Sequence, residues 1–318
     1  MLICVTGATG LIGKQTCIQL LKLNFKVIAP VSQIRQYSIK HNNLKYVEIG
    51  DFRNKINWSP VLRKVKCIIH CAAKNNFFNN KNSNSREYNL INFEATRNLA
   101  SQAANLGVNR FIFLSSIKVN GDKTTHNSKF KYSDPPNPQD SYGISKWKAE
   151  KALWKISSNT SMQVVVIRPP LVYGPEVKGN FLSLLNFVSN SFCIPVLKKN
   201  IIKSYVGIDN LVDFIICTMK HPKAAGQTFL ISDGKDISLE SLIKFLLERM
   251  GKSSYIFSVP SFIVNFFSKF LNQNSKIDKL ISPMKIDISR NQKVLGWKPP
   301  INLEEGLSRT VRWYINNK

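Results

Sequence analysis

Short apolar runs alternate with longer segments of helical spacing through the first half of the chain. Leu2–Val5 reads as a buried strand, and the segment from about Ile12 to Leu23 as the helix that follows it. Lys26–Val31 is a second strand and Lys66–Cys71 a further one. From Asn89 to Leu106 the spacing is helical, with Leu90, Phe93, Ala100, Ala103 and Ala104 near one face. Phe111–Ser115 is another strand, Ser141–Ile156 another helix, and Val164–Arg168 a strand closed by Pro169 and Pro170. Strands alternating with helices imply right-handed crossovers, so the expected fold class is α/β with a doubly wound parallel sheet. After Pro170 the pattern loosens. Leu171–Lys203 mixes loop and helix, Gln227–Ser232 is one more strand expected to join the sheet, and Leu239–Met250 is an amphipathic helix. Residues 1–170 are expected to form the sheet domain and residues 171–318 mainly a smaller lobe over its C-terminal edge. Ser258–Leu271 is apolar, and Pro260 with the single Lys269 favours a buried helix of the small lobe over a membrane-surface helix.

Composition narrows the class. With 43% hydrophobic and 20% charged residues in 318, the chain is of ordinary globular type. No run approaches the roughly 18 apolar residues of a membrane-spanning helix. Met1–Gly7 enters a strand at once, without the basic region of a signal peptide, so the expected location is the cytoplasm. The six cysteines show no C-x-x-C spacing and the four histidines are scattered, so no metal site is expected. The formal charge of +26 comes from lysines spread along the whole chain, with no arginine-rich run and no nucleic-acid motif. It reads as a solvated basic surface that suits a phosphorylated ligand.

Directly after the first strand stands Thr6-Gly7-Ala8-Thr9-Gly10-Leu11-Ile12-Gly13. Gly7 permits a tight turn, Gly10 lets backbone amides approach a pyrophosphate, and Gly13 lets the helix pack close to the strand. The helix N-terminus, with its unpaired amides and partial positive charge, faces the phosphates. This is the dinucleotide cradle in its required strand-to-helix context. The second strand ends in Val31-Ser32-Gln33-Ile34-Arg35, without the acid that would hold the ribose of NAD. The cofactor is therefore read as NAD(P), with Arg35 giving a lean towards NADP(H). Asp51, in Gly50-Asp51-Phe52, is placed to meet the adenine edge.

Tyr142-Gly-Ile-Ser-Lys146 sets a phenol and an ammonium four residues apart on one helix face. The lysine charge is expected to lower the tyrosine pKa and make it a usable acid/base. Such a pair alone is often an ordinary helix face. Here Ser115-Ser116 ends a preceding strand, where an open α/β sheet builds its site, and Asn92 lies on the helix before that strand.

Taken in this order, T-G-x-x-G-x-x-G, the Asn92 helix, Ser115-Ser116 and Y-x-x-x-K resemble the extended short-chain dehydrogenases/reductases. Arg168-Pro-Pro-Leu-Val-Tyr-Gly-Pro175 and the late Leu295-Gly-Trp297 add to the likeness, which spans essentially the whole chain. The resemblance implies a Rossmann sheet and an enzyme working on a nucleotide-activated sugar, with a UDP-sugar as its partner. It implies that Ser116 polarises a sugar carbonyl, that Tyr142 exchanges the proton, and that Lys146 holds the nicotinamide ribose. It places Gly7, Thr9, Gly10, Leu11, Ile12, Gly13, Ser32, Arg35, Asp51, Ala72, Asn92, Tyr142 and Lys146 on the cofactor, and Ser116, Asn180 and Lys203 on the substrate. Relatives often carry arginine where this chain has Lys203, and commonly dimerise through the helices of Asn92 and Tyr142.

Three reactions are common on such a scaffold. Dehydratases follow the catalytic hydroxyl with an Asp-Glu pair, where Ile117-Lys118 stands here. The 4-epimerases usually carry an acid after the second strand, and V-Y-G where this chain has Val119-Asn120-Gly121. Ser115–Gly121, Asn137–Lys146 and Val206–Asp213 resemble a subgroup that reduces UDP-4-keto-6-deoxy-N-acetylglucosamine for surface (O-antigen) polysaccharide. The sequence thus leads to a nucleotide-sugar 4-ketoreductase, with 4-epimerase as the alternative. A regulator that binds the nucleotide without turnover is the third reading, disfavoured because Ser116, Tyr142 and Lys146 are all retained.

Overall fold

A computed structural model describes residues 1–35, 39–74, 85–125, 128–197, 201–259 and 282–318. Seven parallel strands form one sheet: β1 (Leu2–Thr6), β2 (Lys26–Val31), β3 (Leu44–Glu48), β4 (Cys67–His70), β5 (Arg110–Leu114), β6 (Gln163–Arg168) and β7 (Gln227–Leu230). Their order across the sheet is β7-β6-β5-β4-β1-β2-β3. The order reverses between β1 and β4, and a crevice for ligand opens at the carboxyl ends of the strands at such a reversal.

The central strands are buried on both faces, which is why they read as unbroken apolar runs. One face, with Val5, Ala29 and Ile167, packs on the helices Leu11–Lys22 (α1) and Ile208–Lys220. The other, with Ile68, Phe111 and Val166, packs on Ala95–Asn105 (α2) and Ser141–Ser158 (α3). Beyond β6 a smaller core gathers Phe181, Leu185, Leu242, Leu246 and Leu307 from the helices Asn180–Asn190, Leu239–Arg249 and Leu303–Asn316. Tyr173 links this core to the sheet edge. Its hydroxyl donates to Asp233, which also accepts from the Gly207 amide and Asn210.

Two elements differ from the sequence reading. The edge strand β3 is absent from it, because Leu44-Lys-Tyr-Val-Glu48 is half solvated and interleaves charge with apolar residues. The helix expected from Asn89 is π-helical over Asn89–Glu94 before becoming α2. The apolar helix expected at Ser258–Leu271 lies almost wholly outside the described residues.

Buried polar side chains tie the strand ends together. Thr96 Oγ1 donates to the Asn92 carbonyl oxygen at 2.8 Å, so its lone pairs face His70 Nε2 at 2.9 Å. Nε2 then carries the ring proton, and Nδ1 accepts from Thr6 Oγ1 at 2.6 Å. His70 is fully buried and stacks on Phe113, and burial, with Lys146 adding to it, brings its pKa down to about 3. This imidazole is a neutral bridge between β1, β4 and the π-helical turn. A histidine that stays neutral when folded and titrates normally when unfolded costs stability as pH falls below about 6.5. Between pH 7 and pH 5 its contribution should fall by about 2 kcal/mol. Urea unfolding should therefore show a smaller loss of stability over this range for His70→Gln than for the wild type. Equal losses would remove His70 from the pH dependence.

Candidate active site

β1 turns at Gly7, whose φ of +69° suits glycine. A Cβ on Gly7 would lie 2.7 Å from the Ala72 nitrogen, so the loop closes directly on the chain leaving β4. At Gly13 a Cβ would lie 2.2 Å from the Gly7 carbonyl oxygen, and any side chain there would lever α1 off β1. Gly10 is different. An added Cβ would meet only the Gly7 oxygen, at 3.4 Å, and Thr9 and Gly10 are exposed. No side chain caps α1 at Gly10, so the first-turn amides at Leu11, Ile12 and Gly13 form an uncapped positive end. A dinucleotide pyrophosphate fits this cradle.

The remaining candidate cofactor residues ring the same edge. Ser32 and Arg35 lie in the loop after β2, where the Arg35 guanidinium donates to Gln33 at 3.2 Å. The lean towards NADP gains no support from this arrangement. Asp51 follows β3, and its carboxylate is taken up by Arg53, whose hydrogen bonds hold it below its ordinary pKa. Ala72 donates its amide to Thr6 Oγ1 at 3.3 Å. Asn92 is fully buried and spends its amide on protein: Oδ1 accepts from Lys74 N at 2.8 Å, and Nδ2 donates to Ser145 Oγ at 3.0 Å. It positions the loop after β4 against α3, from a π-helical turn of the kind often found at functional sites.

Ser116, Tyr142 and Lys146 meet at the carboxyl end of β5. Ser116 caps the turn Ile117–Val119, accepting from the Lys118 amide at 3.2 Å, and its hydroxyl lies near enough to the Tyr142 phenol to favour the phenolate. The Tyr88 ring stands edge-on to Tyr142, 6.1 Å between centroids. Lys146 is 2% exposed; Nζ donates to the Leu114 carbonyl at 2.7 Å and lies 4.6 Å from the Phe113 ring centroid. Burial lowers its pKa to about 8. The expected lowering of the Tyr142 pKa by this lysine is absent here. Desolvation raises the phenol, and only the neighbouring Ser116 hydroxyl opposes it. The half-exposed Lys203 is brought to the same end of the sheet, its pKa lowered to about 8 by burial and by the Lys118 charge. Asn180 is the exposed first residue of its helix. Among the described residues no hydrogen bond ties it to Ser116, Tyr142 or Lys203.

Behind these groups lies a buried network that sequence reading missed. The Glu150 carboxylate, fully buried, binds Arg168 through Nε at 3.0 Å and Nη2 at 2.5 Å, and accepts from Ser115 Oγ. Arg168 Nη1 reaches Asn120 Oδ1 at 2.9 Å, and Asn120 donates to the Lys131 carbonyl at 3.1 Å. The signal was present in the spacing: Glu150 follows Lys146 as Lys146 follows Tyr142, four residues on along one face.

Residues 3–232 match the profile of the NAD dependent epimerase/dehydratase family. The chain belongs to this family. The chain is similar to the UDP-glucose 4-epimerase of Vibrio cholerae, 38% identical over 321 residues, which cover 99% of this chain and 97% of that protein. The epimerase/dehydratase fold recurs in the UDP-glucuronic acid 4-epimerase of Bacillus cereus in complex with NAD, at TM-score 0.81 and 20% identity, covering 100% and 99% of the two chains. WbmG of Bordetella bronchiseptica, in complex with NAD and UDP, superposes with TM-score 0.78 at 17% identity, covering 99% and 95%. The family assignment establishes an NAD-dependent enzyme of the epimerase/dehydratase type. Among the described residues no helix is long and apolar enough to cross a membrane, and no cluster of metal-ligating side chains occurs.

Removing one half of a buried ion pair strands the other. Glu150→Ala should cost about 3–5 kcal/mol, read as a lowered urea midpoint. Joint replacement by Glu150→Leu and Arg168→Met should recover much of this. A loss below about 1 kcal/mol for Glu150→Ala would mean that the pair bears no structural load.

Proposed function

We propose that this enzyme oxidises and re-reduces C4 of a UDP-hexose, acting as a UDP-sugar 4-epimerase in the cytoplasm. The observation that carries the reading is the 38% identity to the Vibrio cholerae UDP-glucose 4-epimerase along nearly all of both chains. The site supports it physically. Tyr142 is the proton carrier at the C4 oxygen, and Ser116, whose hydroxyl favours the Tyr142 phenolate, holds that oxygen in line. Lys146, buried between the Leu114 carbonyl and the Phe113 ring, orients the ribose. A bound oxidised nicotinamide would supply the hydride acceptor, and its positive charge would favour the Tyr142 phenolate. Lys203 and Asn180 serve the diphosphate of the substrate. Residues 1–170 carry the cofactor and residues 171–318 mainly the sugar nucleotide.

Two features of the chain favour a second reading, the 4-ketoreductase of surface polysaccharide synthesis. No acid ends β2, and Asn120 stands where the epimerases usually have tyrosine. The two reactions separate in one assay. UDP-glucose or UDP-N-acetylglucosamine should be converted to its galacto epimer by purified protein with no cofactor added. Stoichiometric loss of NADH or NADPH on UDP-4-keto-6-deoxy-N-acetylglucosamine, without epimer formation, would replace the epimerase with the ketoreductase. Nucleotide binding with no turnover of either kind would leave the regulator. In the active assay Tyr142→Phe should lower turnover by about 10²–10⁴-fold while nucleotide binding is unchanged. Retained turnover would remove Tyr142 from the chemistry.

A further inference from the structure

The acid that β2 lacks is present one strand away. β2 and β3 are parallel and paired with Val31 directly opposite Glu48. In-register neighbours on parallel strands project to the same face, and alternate residues along each strand share it. Val27 and Ala29 of β2 pack into the core beneath α1, with Leu44 and Tyr46 of β3 against the same core. Val31 and Glu48 continue those two rows to the carboxyl edge of the sheet, on the side of the helix that cradles the pyrophosphate. The Glu48 carboxylate turns over the loop after β2, accepting from the Ile34 amide at 3.0 Å through Oε2. The side chain is exposed, and its second oxygen has no partner among the described residues. This loop is where a dinucleotide places its adenine ribose, the 2′-hydroxyl in NAD or the 2′-phosphate in NADP.

We propose that Glu48 is the ribose-reading residue of this enzyme, supplying from β3 the carboxylate that selects NAD against NADP. A fixed negative charge at this edge accepts a hydrogen bond from a ribose hydroxyl and repels a phosphate dianion. Arg35, the cation that would welcome the phosphate, is engaged by Gln33. The proposal concerns cofactor recognition alone, so it stands or falls separately from the choice between epimerase and ketoreductase.

Glu48→Gln is the informative variant, because the amide oxygen can still accept from Ile34 while the charge is gone. Nucleotide released on denaturing a sample of each preparation is identified by mass spectrometry, and NAD and NADP are then titrated calorimetrically into wild-type, Glu48→Gln and Arg35→Ala proteins freed of bound nucleotide. Wild type should release NAD and bind it more tightly than NADP. In Glu48→Gln the preference for NAD should shrink by about tenfold, mainly through tighter NADP binding, with the thermal midpoint unchanged. In Arg35→Ala the ratio should stay within about twofold of wild type. An unchanged ratio in Glu48→Gln, or equal weakening of both nucleotides, would make Glu48 a loop staple only and overturn the proposal. So would NADP as the nucleotide released from wild type.

Discussion

The candidate catalytic end of the sheet depends on the neutralisation of one fully buried carboxylate, Glu150. A bare carboxylate there would be untenable, since the cost of taking an ion out of water amounts to several kcal/mol even after relaxation. Arg168 meets it with two hydrogen bonds and Ser115 with a third. These contacts join the carboxyl ends of β5 and β6 to the middle of α3. The helix is thereby fixed in rotation, and with it the face that also carries Lys146 and Tyr142. The buried Lys146 gains from the same arrangement, since the Glu150 charge one turn away opposes the burial that lowers its pKa. The candidate acid/base tyrosine thus inherits its position from an ion pair buried behind it.

The cofactor side is held by a different principle, close approach. Gly13 against the Gly7 carbonyl and Gly7 against Ala72 leave no room for a methyl group, and this contact aims the end of α1. The Thr6–His70–Thr96 bridge continues the line to Asn92. Because each hydroxyl has one proton to give, the chain of donors runs in one sense only and needs the neutral imidazole. Cradle and π-helical turn are therefore parts of one hydrogen-bonded unit, and Asn92 serves the site by holding backbone.

What could be read in the sequence follows the same division. Strands buried on both faces declare themselves as apolar runs, so β1, β2, β4, β5, β6 and β7 were legible. The glycine cradle, Ser115-Ser116 and Tyr142-x-x-x-Lys146 were legible because each motif is contiguous and its chemistry fixes its spacing. The edge strand β3 was not, since solvent on one side lets Lys45 and Glu48 interrupt the pattern. The π-helical turn shifts the helical register by less than the apolar spacing reveals. The Glu150–Arg168–Asn120 network joins positions far apart in the chain, and only the repeated step of four from Tyr142 to Glu150 hinted at it. The Tyr142 shift departs from the sequence expectation for a related reason: the charge of Lys146 is visible in sequence, and the desolvation of the half-buried phenol is not.

Asn120 and the acid-free end of β2 depart from the usual epimerase pattern. In three dimensions they carry less weight. Asn120, in place of tyrosine, is 3% exposed and bound to Arg168 and the Lys131 carbonyl. Its identity thus answers to the buried guanidinium, a constraint that both candidate reactions share. The acid missing from β2 has a counterpart on β3 in register with the vacant position. A lone strand end is therefore a poor witness to cofactor choice, because a parallel sheet offers two adjacent rows at the same edge. Identity along the full length to an epimerase then weighs more than either local absence, and the assignment turns on whether the nicotinamide stays bound through the cycle.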